Sequence, residues 1–340
     1  MSLPHSIVSK WIVATRRAIT LSLLTLCAAL FATAQPGAAQ DQVIGWGPQV
    51  FDSGLHHQQF VAVSAGCGHT LARRSNGTLV AWGDNSFGQC NVPPLPVGLT
   101  YVEVSAAWSH NAALRSDGSV VAWGSNNFGQ CTVPPLPVGL TYVEVEATGN
   151  NSGSHTAARR SDGSVVVWGN NYSNQCIVPA LPAGLSYLKI ATGPFHVLAL
   201  RSDGWIVAWG DNSIGQCNVP SLPAGLSYVE ITAGDSHSAA LRSDGSVVAW
   251  GFNFNGQCNV PALPIGLTYV EIDAGWRHTL ARRSDGSVVA FGDNFYGACN
   301  VPAISPSLTY VEISGGGSDV GGFNHSVARR SDGSIVAWGD

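Results

Sequence analysis

The sequence predicts an all-β protein, a seven-bladed β-propeller of four-stranded antiparallel blades with the ring closed by pairing of N- and C-terminal strands. Three observations lead to this fold class. The motif "VAWG", or a close variant, recurs seven times at intervals of 41 to 47 residues. Each copy contains short segments of strand length separated by turn residues. The composition, with 40 glycines and 11 tryptophans in 340 residues, favours strands and turns over helices.

Each copy is expected to form strands A to D. Strand A is the alternating "TYVEV", strand B is "HTLARR", the "SDG" turn follows, and strand C is "SVVAWG". The loop "DNSFGQ" leads to "CNVP" as strand D, and "PLPVGL" leads to the next strand A. No single copy can bury both of its faces, so neighbouring copies must stack into a ring.

Strand D occurs one time fewer than the other strands. It begins at Cys90, Cys131, Cys176, Cys217, Cys258 and Cys299. The chain given stops just after the seventh strand C, so we expect Gln49 to Asp52 to complete the last blade. We interpret the cysteines as small buried apolar side chains, because matching positions of adjacent blades lie farther apart than the ~7 Å that a disulfide spans.

A histidine heads strand B in every copy, at His69, His110, His155, His196, His237, His278 and His325. A catalytic group is needed once, whereas a structural group recurs in each repeat. We therefore interpret these histidines as structural repeat residues that bond a turn or the neighbouring blade. The spacing indicates no metal site, no cofactor and no catalytic residue.

The first residues differ from the rest. Lys10, Arg16 and Arg17 precede an apolar run that ends in small residues, as in a secretory signal peptide. We expect residues 1–39 to be this signal, with cleavage after Ala34 or Ala39, and 40–340 to be the propeller. Loss of the three basic residues leaves 13 basic against 21 acidic residues, a net charge of −8, which argues against nucleic-acid binding.

The copies "GxxHTLAxRSDGSVVAWGxNxxGQ" resemble the regulator of chromosome condensation repeat. The resemblance covers nearly all of the chain after the signal and implies a seven-bladed β-propeller. The sequence pattern "VAWGxNxxGQ…VP" and the export signal are most similar to those of the secreted bacterial members, which include a β-lactamase-inhibitory protein. No target carries over from the resemblance, because the loop residues are not repeat positions.

Strand directions place the A–B and C–D loops on one face and the B–C hairpins and D–A loops on the other. Both long insertions, "TGNNSGS" and "SGGGSDVGGFN", fall in A–B loops, and insertions on one face indicate the binding face. The candidate partner-binding residues there are Phe87, Trp108, Phe128, Tyr172, Phe195, Phe254, Trp276, Arg277, Tyr296 and Phe323. On the opposite face, we expect each "RSDG" turn to pair its own arginine and aspartate.

These observations predict an exported, secreted or periplasmic monomer that binds a protein partner through the aromatic loops and has no enzymatic activity. A carbohydrate ligand is the second binding hypothesis, since exposed aromatic and asparagine side chains suit sugars as well. A propeller hydrolase or lyase is the third. It would need acids or metal ligands that occur once near the axis, for which Asp235, Asp319 and Cys67 are the only loose candidates.

Overall fold

The computed structural model describes residues 60–317 and 324–339. In these residues the chain forms seven antiparallel sheets of three strands each, and no helix. We number the sheets 1 to 7 in chain order. In every sheet the strands follow sequence order, so that the predicted strands A, B and C are the inner, middle and outer strands. None of the described residues belongs to a helix that could span a membrane.

The inner strands begin at an aromatic residue and surround a central cavity. They are β1 Phe60–Ala65, β4 Tyr101–Ala106, β7 Tyr142–Asn150, β10 Tyr187–Thr192, β13 Tyr228–Ala233, β16 Tyr269–Ala274 and β19 Tyr310–Gly317. The middle strands are β2 His69–Arg74, β5 His110–Arg115, β8 Gly153–Arg160, β11 His196–Arg201, β14 His237–Arg242, β17 His278–Arg283 and β20 Asn324–Arg330. The outer strands are β3 Leu79–Gly83, β6 Val120–Gly124, β9 Val165–Gly169, β12 Ile206–Gly210, β15 Val247–Gly251, β18 Val288–Gly292 and β21 Ile335–Gly339.

Tight "SDG" turns join the middle and outer strands. In sheet 2, Asp117 Oδ1 accepts hydrogen bonds from the backbone N–H and the hydroxyl of Ser119, and Gly118 has a φ of +78°. Such a turn needs a residue that tolerates the left-handed region and a side chain that holds the backbone, which explains the Asp-Gly pair.

The sheets pack face to face through their apolar side chains. Tyr142 and Val145 of sheet 3, for example, form one buried cluster with Leu114 and Val120 of sheet 2. Sheet 1 is likewise a neighbour of sheet 7, because backbone N–H groups of β1 donate to Glu312 and Ser314. Burial of apolar surface between successive sheets is therefore the main stabilising contribution.

The predicted strand D is not confirmed. Each "CNVP" segment begins as a turn and continues without strand structure, so the described sheets have three strands. Local bonds use its donors: Cys90 N–H donates to the Asn85 side chain and Asn91 N–H to the Gly88 carbonyl. Pro93 and Pro94 have no N–H to donate. Closure by Gln49 to Asp52 lies outside the described residues and stays a prediction.

Candidate functional site

The repeated histidines link successive sheets. His110 Nε2 of sheet 2 lies 3.0 Å from Thr156 Oγ1 of sheet 3, and Thr156 donates its own proton to the Gln130 carbonyl at 2.9 Å. The Thr156 oxygen must therefore accept, so His110 carries its proton on Nε2. Trp168 Nε1 donates to the same carbonyl. The histidine, the hydroxyl and the tryptophan thus form one buried interface network.

The network repeats with different partners. The residue after the histidine in the next sheet is Asn111, Thr156, Ser238, Thr279 or Ser326 in the bonded copies. Burial lowers the pKa of each repeat histidine, for example to about 3 for His237 and about 4 for His325. The imidazoles are neutral at physiological pH, as groups that hold a scaffold together should be.

The A–B and C–D loops lie on one face, which we call the aromatic loop face. Within sheet 2, Ser125 N–H after β6 donates to the Ser109 carbonyl before β5. Between sheets, the ring centroids of Phe87 and Trp108 lie 5.7 Å apart, and those of Phe128 and Tyr172 lie 6.2 Å apart. The predicted residues of these loops are therefore neighbours around the ring.

Exposure separates the candidate aromatic residues into two groups. In the C–D loops, Tyr172 is 79% exposed and Phe254 is 88% exposed, and Phe295, which was not among the candidates, is 83% exposed. Phe87 and Phe128 are exposed to a lesser extent, and their ring contacts continue the surface. Tyr172, Phe254 and Phe295 are too exposed to be explained as packing between sheets.

The second group is less accessible. Trp276 is only 8% exposed and is one of the residues that line the central cavity, so its role as a partner contact stays a prediction. Trp108, Phe195 and Tyr296 are half-buried, while Arg277 is exposed. The predicted contact residue Phe323 lies outside the described residues, as does Asp319.

The central cavity has a volume of about 380 Å³ and is lined by all seven inner strands and by Cys67, Trp108 and Trp276 of the A–B loops. Its wall is acidic. The carboxyl groups that line it are Glu103, Glu144, Glu146, Glu230, Asp235, Glu271, Asp273 and Glu312, and Lys189 is the one basic residue among the lining residues described.

Several of these carboxylates support the scaffold. The inner strands expose backbone N–H groups toward the cavity, and the preceding sheet satisfies them: Glu144 accepts from Ile190 N–H at 3.0 Å. Ser105 Oγ accepts from Ala147 N–H at 2.9 Å. An unpaired buried N–H destabilises the fold. Some carboxylates of the wall therefore serve as hydrogen-bond acceptors for backbone N–H groups of the next inner strand.

Cross-strand pairing within a sheet neutralises three of the carboxylates. Where the middle strand reads "ARRSDG", its first arginine lies opposite the glutamate, as in the ion pair of Arg159 Nε with Glu144 at 2.7 Å. Sheets 6 and 7 repeat this pairing. Where the strand reads "ALRSDG", leucine stands opposite instead, so Glu103 faces Leu114. Glu103, Glu146 and Asp273 have no ion pair among the described residues.

The carboxyl groups without an ion pair have raised pKa values. Burial, followed by repulsion from Glu144, raises the pKa of Glu103 to about 7. Burial raises the pKa of Asp273 to about 6. Burial, with Glu103 as the next cause, raises the pKa of Glu146 well above its ordinary value. Part of the wall is therefore protonated near neutral pH.

Sequence reasoning missed this wall, although the signal was present. The third position of "YVEV" is acidic in most copies, and the alternation "ARR" or "ALR" shows which of these acids has an arginine opposite it. The third strand position was treated only as part of a strand pattern.

The arginines of the B–C hairpins do not behave as predicted. The turn aspartate holds the serine two residues later, as Asp244 holds Ser246. Among the described residues, only Arg201 and Asp203 form an ion pair within such a turn, and there Trp205 replaces the serine. The expected pairing is therefore wrong in the other turns.

The six cysteines that begin the "CNVP" segments form no disulfide in the described part of the chain and are half-buried. The Cys131 thiol donates to the Ser125 carbonyl, and burial raises the pKa of this thiol to about 12. Its role at the start of the "CNVP" segment is local support of the C–D loop. No three His, Cys, Asp or Glu side chains of the described residues are grouped to hold a metal ion.

Seven stacked sheets with one repeated interface network define a repeat-built β-propeller. The sequence profile of the regulator of chromosome condensation (RCC1) repeat matches residues 60–89, 101–130, 147–175, 188–216, 228–257 and 269–298. These ranges cover more than half of the chain, which therefore belongs to this repeat family. The profile matches six copies, whereas the structure adds a seventh sheet of the same kind.

Solved structures share the fold at low sequence identity. Prp20p from Saccharomyces cerevisiae, described with its binding properties to Gsp1p and histones, is 21% identical, with a TM-score of 0.66 over 79% of this chain and 82% of that one. Human WBSCR16 is 18% identical, with a TM-score of 0.64 over 80% and 86%. The CRINKLY WD40 ectodomain of the Arabidopsis thaliana receptor kinase ACR4 is 20% identical, with a TM-score of 0.61 over 83% and 96%. The comparison with curated proteins found no match.

Proposed function

We propose that this chain is an exported, non-enzymatic binding scaffold that recognises a protein partner through the aromatic loop face. The observation that carries the proposal is the exposure of Tyr172, Phe254 and Phe295, which are 79–88% exposed in the C–D loops of sheets 3, 5 and 6 on the same face. Large exposed aromatic side chains grouped on one surface are typical of protein interfaces. The low-identity propellers support the fold of such a scaffold, and Prp20p is an example that binds proteins.

A protein fits this surface better than a sugar. Sugar recognition needs free polar groups beside the aromatic ring, but the loop asparagines are already used. Asn253 Oδ1 accepts from Cys258 N–H and its amide donates to Asn259. Asn171 Oδ1 likewise accepts from Cys176 N–H beside Tyr172. The carbohydrate hypothesis therefore ranks second.

The experiment compares capture of partners from culture fluid and envelope extract by the wild type and by the double variant Tyr172→Ala/Phe254→Ala. Trp205→Ala is the matched control, because Trp205 is an exposed aromatic residue (47%) on a B–C hairpin of the opposite face. We expect the double variant to lose a captured protein that the wild type and the control retain. Equal capture by all three would overturn the proposal, and binding on a glycan array that Tyr172→Ala abolishes would favour the sugar.

Export, the monomeric state and ring closure by Gln49 to Asp52 belong to the same proposal. The basic, apolar and small-residue pattern of residues 1–39 supports export. N-terminal sequencing of the purified protein is expected to begin after Ala34 or Ala39. A mature protein that retains Met1 in the cytoplasm would contradict the export proposal, and light scattering tests the monomer.

A further inference from the structure

The interface between sheets 3 and 4 departs from the repeat. At the fifth position of the inner strand, sheet 3 carries Glu146 where serine, threonine, alanine or aspartate occurs elsewhere. At the third position, sheet 4 carries Lys189 where the other "YVEV" copies have glutamate. At the sixth position, sheet 4 carries Thr192 where the others have alanine or glycine. Residues that break a repeat are not needed for the repeat, so this part of the cavity wall is a candidate binding site.

The Thr192 side chain points to a missing ligand. Thr192 lines the cavity and is only 8% exposed, and its Oγ1 has no hydrogen-bond partner in the described part of the chain. A buried hydroxyl without a partner is costly. A donor group in the cavity would satisfy the oxygen.

Glu146 also has unused acceptor capacity. Its only hydrogen bond among the described residues comes from the Ser105 hydroxyl at 3.3 Å, whereas the equivalent Asp273 receives the Gly315 N–H and the Thr232 hydroxyl. Lys189, the basic residue of the cavity wall, forms an ion pair with Glu230 at 2.9 Å. Glu146 therefore lies in the cavity wall without an ion pair, beside Glu103 of the preceding sheet.

The positions of the carboxyl groups in the cavity wall favour an organic cation over a metal ion. A metal ion needs ligands that converge on one point, and no three described acidic, histidine or cysteine side chains do so. Here the acids without an ion pair are spread around the wall, since Asp273 belongs to sheet 6 and Glu146 to sheet 3. Trp108 and Trp276 line the same cavity, and indole faces attract organic cations. Spread carboxylates and indoles suit an ammonium group on a carbon chain.

We propose that the central cavity binds a primary ammonium group of an organic ligand, with Glu103 and Glu146 as counter-ions and Thr192 as a further acceptor. A free polyamine and a lysine side chain of a partner share this chemistry. The cation replaces the proton that Glu103 retains in part near pH 7, because burial raises the pKa of this carboxyl to about 7. Binding therefore releases protons, which a simple surface attraction would not do.

The test is calorimetric titration with spermidine and with Nα-acetyl-lysine amide at pH 7, in two buffers of different ionisation enthalpy. We expect binding with proton release, weakened at least tenfold in Glu103→Gln and in Glu146→Gln. The charge-matched control is Asp117→Asn, which removes an acid from a turn of the opposite face and copies the Asn76 of sheet 1. Binding of lysine amide assigns a single ammonium group, whereas binding of spermidine alone assigns a polyamine.

Lys189→Met tests the same proposal in the opposite direction, and it does not depend on the folding of the glutamine variants. It removes the basic residue of the wall and frees Glu230, so amine affinity should rise at least fivefold. Absence of amine binding to the wild type, equal weakening by Asp117→Asn, or no gain with Lys189→Met would overturn the proposal. None of these outcomes bears on partner capture by Tyr172 and Phe254, so the two proposals fail separately.

Discussion

Acidification to pH 5 is expected to destabilise the protein strongly, because the repeat histidines are buried and neutral. Burial lowers their pKa from 6.5 to about 3 in His110, His155, His237 and His278 and to about 4 in His196 and His325, and lowers that of His69 as well. In the unfolded chain they take up protons below pH 6.5, while in the folded chain they do not. The histidines therefore make their full contribution to the free energy of unfolding above pH 6.5, and this contribution decreases as the pH falls.

A histidine whose folded pKa is well below 5 stays neutral in the folded protein at pH 5. The loss in free energy of unfolding then depends only on the protonation of the unfolded chain. One histidine then loses about 2 kcal/mol relative to pH 7.5, so the six histidines with a folded pKa of about 3 or 4 lose about 12 kcal/mol together. Cavity carboxyl groups with raised pKa values act oppositely, because they destabilise the fold at pH 7.5. Acidification relieves about 2 kcal/mol for Glu103 and about 1 kcal/mol for Asp273, and the raised pKa values of Glu146 and Glu271 act in the same direction. The net loss of about 9 kcal/mol from the groups with a stated pKa is comparable to the whole stability of a typical domain.

The assay is urea denaturation between pH 7.5 and 5, followed by tryptophan fluorescence and circular dichroism. Between pH 6 and 5 the slope should correspond to uptake of about four protons on unfolding. Glu103→Gln should steepen this slope, because it removes one opposing carboxyl group. A free energy of unfolding that is constant within about 1 kcal/mol, or that increases on acidification, would refute the neutral histidine network.

Two substitutions and one labelling experiment test further contacts. Val197→Thr should raise the free energy of unfolding by about 1 kcal/mol, because it offers the unbonded His155 Nε2 a hydroxyl like the one that Thr156 offers His110. Glu144→Gln should lower it by about 2 kcal/mol, because Arg159 loses its ion-pair partner. The Cys131 thiol should react with Ellman's reagent at pH 8 at least about 100-fold more slowly than glutathione, because its raised pKa leaves little thiolate.

Controls distinguish these expectations from general damage. Val197→Ala removes methyl groups without adding a hydroxyl and should destabilise, so a loss of stability in Val197→Thr as well would contradict the network. Glu103→Gln should be neutral or stabilising at pH 8, where Glu144→Gln is destabilising. Equal effects of the two glutamine substitutions would contradict the assigned ion pairs. Rapid labelling of the folded protein at Cys131 would contradict its burial.

The repeat made most of the fold predictable. "YVEV", "HTLARR" and "VAWG" became the inner, middle and outer strands because their apolar residues recur in register and each has its own turn signal. The prediction of a fourth strand was not confirmed because the "CNVP" segment has no N–H groups left for a sheet. The Cys90 N–H donates to a side chain, and Pro93 has no N–H. Strand length and apolar character cannot reveal that the donors are already bonded.

The site was less predictable. Exposure of Tyr172 and Phe254 followed from their C–D loops, whereas Trp276 was expected on the surface and lies in the cavity wall. A loop's sequence does not tell which way its aromatic ring turns. Prediction of the acids without an ion pair requires the register between inner and middle strands. This register places Leu114 rather than an arginine opposite Glu103.

Site-specific photo-crosslinking tests recognition through the aromatic loop face most directly. A photoreactive phenylalanine analogue replaces Phe254, or Trp205 of the opposite face, and the protein is irradiated in culture fluid and envelope extract. Position 254 is expected to yield a discrete crosslinked protein that position 205 does not yield. Crosslinks from position 205 with none from position 254 would contradict the account and assign recognition to the opposite face.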